Sequence, residues 1–165
     1  MLTLGVDPGL ANLGFGLVAG ETDPVLVEYG CLDTYARDST PQRLLELHDG
    51  IVRVLDSHPV TDVAIEQTVF GRNTSTATSV AQAGGVVMLC AARRGIPVAE
   101  YSPPQIKNAV TGAGNADKLR VQEMVKIILG LRNAPEPHHA ADALAAAICH
   151  IHNHRLGLRL AASRR

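Results

Sequence analysis

Three acidic side chains stand where strands or a helix would carry them to a common edge. Asp7 follows the strand-like run Leu2 to Val6 and precedes the turn Pro8-Gly9, so its carboxylate projects from a strand terminus into the rim of a cleft. Glu66 ends Asp-Val-Ala-Ile-Glu, a buried-strand pattern delivering an acid that is costly to desolvate without a partner. That partner is either a lysine or arginine, such as Lys107 or Lys118, or a cation. Asp142 follows His138 and His139 closely enough that all three share one helical face. Singly, each has a plain reading: a turn former, an ion-pair member, a polar first turn. Acids converging from separated segments are hard to stabilise without metal cations, and an oxygen-rich site suits Mg²⁺ or Mn²⁺. Two such ions about 4 Å apart can activate a water and stabilise the leaving oxygen in phosphodiester hydrolysis.

The elements that must position these acids can be read from periodicity and punctuation. Leu2 to Val6, Gly14 to Ala19 and Val25 to Tyr35 predict a meander of three strands, and Pro41 to Leu55 predicts a helix capped by Thr40. Val63 to Ile65 is a further strand signal, followed by a long helix over Thr76 to Arg94 and a strand over Ile96 to Tyr101. Ser102 opens a helix that stops near Gly112, Asn115 caps another running to Leu129, and the Pro135/Pro137 linker leads into a last helix reaching about His154. Alanines around His139 and Asp142 let that helix lie close to a sheet. Three strands followed by alternating helices and strands argue for an α/β layer fold with a mixed sheet. The expected organisation is one domain over 1–155 with a basic, flexible tail over 156–165.

A chain of 165 residues, 46% hydrophobic, is long enough to bury a core, but with no Trp, two Phe and three Tyr that core must be aliphatic. Cys31, Cys90 and Cys149 are odd in number and widely spaced, which suggests neither disulfides nor a zinc knuckle and fits a reducing cytoplasm. No signal-like or membrane-spanning stretch is present in the sequence, so no membrane partner is expected. The net charge of −1 hides an asymmetry: up to Glu66 there are 3 basic and 11 acidic residues, and beyond it 12 and 5. A polyanion-binding face built mainly from the second half is compatible with that split, as are solvated helix faces.

Gly5-Val6-Asp7-Pro8-Gly9, Ile65-Glu66-Gln67, the stretch Gly112 to Lys118, and Ala140-Ala141-Asp142-Ala143-Leu144-Ala145 together resemble the RuvC family of Holliday-junction resolvases, in the same order and at similar spacing over residues 2–155. The resemblance implies a ribonuclease-H-like fold with a five-stranded mixed sheet flanked by helices. It also implies a homodimer that resolves four-way junction DNA by paired metal-dependent nicks during homologous recombination and DNA repair, leaving 5′-phosphate and 3′-hydroxyl ends. Asp7, Glu66 and Asp142 match catalytic, metal-holding acids, with two Mg²⁺ or Mn²⁺ per active site. The fourth family position, commonly an Asp, is His139 here, with His138 as the alternative. The RuvA–RuvB branch-migration complex is the expected partner.

The family also uses an aromatic residue near Glu66 to stack on or wedge between junction bases, a role for Phe70 or its neighbour Val69. Lys107 and Lys118 match basic positions near the active site, and Arg72 and Arg120 are further DNA-binding candidates. On the long helix, Ala77, Ala81, Gly84 or Gly85, and Met88 form a small-residue side suited to dimerisation or to packing on the chain's own sheet. Three other readings compete. Asp7-Pro-Gly with Gly14 and Gly16 resembles the phosphate loop of actin-like ATPases, although these need two such domains. The same acids would serve an RNA nuclease, and His139 leaves room for a non-catalytic junction binder.

Overall fold

The computed structural model describes residues 1–68 and 74–162. Five strands, β1 (Leu2–Asp7), β2 (Asn12–Ala19), β3 (Val25–Asp33), β4 (Asp62–Glu66) and β5 (Val98–Tyr101), form one sheet in the order β3-β2-β1-β4-β5. The first three make an antiparallel meander, whereas β4 and β5 run parallel to β1 because helices separate them in sequence. This mixed sheet is the ribonuclease-H-like arrangement that the resemblance implies.

Helices α1 (Thr40–Ser57) and α2 (Thr74–Ala92) cover one face of the sheet. Leu47, Ile51 and Val87 meet Leu4, Val6 and Ile65 there in an aliphatic core. The other face carries α3 (Pro103–Thr111), α4 (Lys118–Ile128) and α5 (His138–Ala162), whose core includes Val110, Val125, Leu144 and Ile148. Two helix starts use the same device: the Ser39 N–H donates to Gln42 Oε1 (3.1 Å), and the Ser102 N–H donates to Gln105 Oε1 (2.9 Å).

The sequence expectation misplaced several element boundaries, including three at helix ends. The cap of α1 is Ser39 rather than Thr40, because the reciprocating glutamine sits three residues after the serine. The cap of α4 is Asp117 rather than Asn115: its carboxylate accepts from the Arg120 N–H at 2.8 Å, which starts the helix at Lys118. The last helix does not stop near His154 but continues to Ala162, so the residues expected as a loose tail begin as helix.

Helix α5 rests directly on the backbone of β1 and β2. A Cβ added to Gly5 would collide with the Ala143 carbonyl, and one added to Gly14 with the carbonyl of His139. Small residues on both partners therefore set the height of the first turn of α5 above the end of β1. Gly14→Ala is expected to cost about 2 kcal/mol, in the range of overpacking changes, and to displace His139. An unchanged urea midpoint for this variant would refute the close seat.

Candidate active site

The strand pairing brings two of the acids side by side. β1 and β4 are parallel neighbours with Val6 opposite Ile65, so Asp7 and Glu66 end adjacent strands at the same edge of the sheet. The first turn of α5, held down by the glycines of β1 and β2, supplies His139 and Asp142 from above. One ligand atom from each of Asp7, His139 and Asp142 lies within 4.8 Å of the others. His139 Nδ1 is 2.7 Å from Asp7 Oδ2, a hydrogen bond in which the imidazole N–H donates. His138 instead stacks on the His139 ring at 4.3 Å between centroids, outside that three-residue group.

The two lysines approach from α3 and α4. Lys118 Nζ lies 2.8 Å from Asp142 Oδ2, so one of the two lysines considered as a partner for Glu66 pairs with a different acid. A lysine in the first turn of a helix faces the positive end of the dipole, an arrangement that the Asp142 carboxylate offsets. Glu66 has no ion pair within 4 Å among the described residues. It shares with Lys107, Lys118 and Asp142 the wall of a cavity of about 270 Å³.

Electrostatics agree with a site short of positive charge. Burial pushes the Asp7 carboxyl above its usual range; the His139 hydrogen bond pulls it back in part, while Asp142 adds to the rise. Burial, then the charges of Asp7 and Asp142, push Glu66 up to about 7 against the opposing pull of Lys118 and Lys107. Three carboxylates, two of them raised by burial, and one imidazole, balanced by so few cations, form a donor set that fits hard divalent ions.

Arg120 is exposed and lends α4 only its backbone N–H; it does not line the cavity. Val69, Phe70 and Arg72 lie outside the described residues. The small-residue side of α2 divides. Ala77 and Gly84 are buried and Met88 is half-buried, while Ala81 and Gly85 face outward, with exposed Leu89 one turn further on. Sequence reasoning missed the part played by Gly5, Gly14 and Gly16, whose signal was their position opposite the alanine run of α5.

A family model described as "Crossover junction endodeoxyribonuclease RuvC" matches residues 3–150. The chain belongs to the RuvC family. The RuvC of Desulfitobacterium hafniense is 48% identical over 154 residues, 93% of each chain. That of Syntrophomonas wolfei is 45% identical over 164 residues, 99% of this chain and 95% of the relative. Thermus thermophilus RuvC, solved in complex with a Holliday junction substrate, superposes with a TM-score of 0.90 at 37% identity, covering 95% of this chain and 96% of that one. The yeast mitochondrial Holliday junction resolvase Ydc2, 13% identical, shares the fold with a TM-score of 0.65 over 98% of this chain and 85% of its own. Among the described residues of this RuvC chain, no helix is long and apolar enough to cross a membrane.

Proposed function

We propose that this protein is a crossover-junction endodeoxyribonuclease that resolves Holliday junctions by paired nicks in strands of like polarity. The observation that carries the proposal is the meeting of Asp7, His139 and Asp142 within 4.8 Å, beside Glu66, at one edge of the sheet. These four residues would hold two divalent cations, Mg²⁺ or Mn²⁺. Divalent ions held there would supply a water of lowered pKa and neutralise charge developing on the scissile phosphate. Lys118, half exposed, exchanges Asp142 for a phosphate oxygen as DNA enters, and Lys107 steadies the same group from the cavity wall. His139 keeps the Asp7 carboxylate oriented through its Nδ1–H. The products are a 5′-phosphate and a 3′-hydroxyl.

A homodimer matches the two-fold symmetry of a four-way junction. The outward stripe Ala81, Gly85 and Leu89 supports it: Leu89 is 55% exposed, and Gly85 has open space around it into which a second helix fits. The RuvA–RuvB branch-migration complex delivers the substrate. The cytoplasm is the working compartment, in keeping with three free cysteines.

The decisive experiment compares a labelled four-way junction with matched duplex, under Mg²⁺ or Mn²⁺. Paired, metal-dependent nicks confined to the junction are expected, and tight junction binding without nicks under either ion would overturn the assignment. The imidazole at position 139 removes one negative charge from the donor set and is a softer ligand than a carboxylate. Mn²⁺ is therefore expected to support turnover at least as well as Mg²⁺, and His139→Asp to shift the ratio toward Mg²⁺. A strong Mg²⁺ preference in the wild type, measured by single-turnover cleavage, would refute that role for His139.

A further inference from the structure

Arg43, on α1, is one of only three basic residues in the acidic first 66 positions. Its Nε–H donates to Thr34 Oγ1 at 2.8 Å, and that hydroxyl donates to the Leu10 carbonyl at 2.6 Å. The guanidinium is thus fixed against the turn that follows Asp7, by groups that carry no charge. No carboxylate lies within 4 Å of it among the described residues. Asp33, the last residue of β3 and the neighbour of Thr34, already accepts from Asn12 Nδ2 at 2.8 Å and Cys31 Sγ at 3.2 Å. A guanidinium carries five N–H donors, and Nε is the donor hydrogen-bonded within the described fold. An oriented cation left without a counter-charge is suited to an anion from outside the fold.

The surroundings identify that anion. Arg43 lines a cavity of about 370 Å³ together with Gly9, Leu10, Asn12, Ser79 and His139. This cavity belongs to the α1–α2 side of the sheet, whereas the cavity holding Lys107 and Lys118 belongs to the α3–α5 side. His139, hydrogen-bonded to Asp7, borders the first, and Glu66 and Asp142 border the second, so the carboxylate cluster adjoins both. A nucleic-acid strand crossing that sheet edge meets cations on both flanks and the acidic cluster midway.

We propose that Arg43 binds a backbone phosphate of the strand being cut, adjacent to the scissile one, so that the strand is held on both sides of the carboxylates. This inference rests on the resolvase reading above. A phosphate contact positions the strand without reading its sequence, so the preferred cleavage sequence is expected to be unchanged when Arg43 is altered.

The test measures four-way junction affinity of the full-length protein in EDTA across a salt series, for wild type, Arg43→Gln and Arg43→Lys. Arg43→Gln is expected to weaken binding by about tenfold and to flatten the log–log salt slope by about 1 for each protomer engaged. Arg43→Lys, which keeps the charge, is expected to retain the slope. A wild-type slope and affinity in Arg43→Gln would overturn the inference while leaving the resolvase reading intact. Equal losses in both variants, accompanied by a lower thermal midpoint, would also overturn it by assigning Arg43 to the support of the turn. A wild-type protein that bound no junction would refute the resolvase reading itself, and this inference with it.

Discussion

Asp7→Asn is expected to lower junction cleavage by about three orders of magnitude or more and to leave junction affinity within a few fold of wild type. The substitution preserves shape: an amide oxygen still accepts from His139 Nδ1, now 2.7 Å from Asp7 Oδ2, so the contact between β1 and the first turn of α5 survives. What disappears is a negative charge at the centre of the group formed with His139 and Asp142. A loss of about 4 kcal/mol of transition-state stabilisation corresponds to a thousandfold in rate, a scale expected when a principal ligand of a catalytic ion is removed. Binding behaves differently, because phosphates entering the site are repelled by Asp7 and attracted by lysines that the variant keeps. Cleavage within tenfold of wild type, at saturating junction and metal, would show that Asp7 is not needed to hold the reacting centre.

The acids were legible in the sequence for a local reason. Asp7 and Glu66 each terminate an apolar run, and parallel pairing of β1 with β4 then brings strand ends together at one edge. Asp142 was legible through helical periodicity, but periodicity could not choose between His138 and His139, which both lie about one turn before it. The choice depends on the height and rotation of α5 over β1 and β2, which the contacts of Gly5 and Gly14 with α5 backbone carbonyls determine. Glycine in a strand announces close approach without naming what approaches. Lys118 shows a similar limit. It was offered as a partner for Glu66, whereas its pairing with Asp142 depends on α4 being capped at Asp117, two residues later than the sequence suggested. Arg43 carried no signal in the sequence, since its partner Thr34 lies in the connection between β3 and α1 and its significance comes from the absence of a counter-charge.

The same crowding of acids has a consequence for stability. Metal-free protein is expected to lose stability as pH rises from about 4.5 to about 7, and Glu66→Gln to remove most of that loss. Burial and the charges of Asp7 and Asp142 hold the folded-state Glu66 proton up to about 7, whereas an unfolded chain releases it near 4.5. Between those limits the folded state binds the extra proton, so raising the pH favours unfolding. The contribution is complete below the unfolded value and lost as pH passes through the folded one, and Asp7, also raised, works in the same direction. A shift of this size corresponds to roughly 3 kcal/mol, or several degrees in the melting temperature of a chain of this length. Thermal unfolding in EDTA between pH 5 and 8 checks it, and parallel profiles for wild type and Glu66→Gln would refute it. At pH 8 added Mg²⁺ or Mn²⁺ is expected to restore stability to the wild type and less to the variant, because a ligand that binds only the folded state stabilises it by mass action. The charge that destabilises the protein in EDTA is then the charge that draws the cation, which is why Glu66 can end a buried strand with no lysine paired to it.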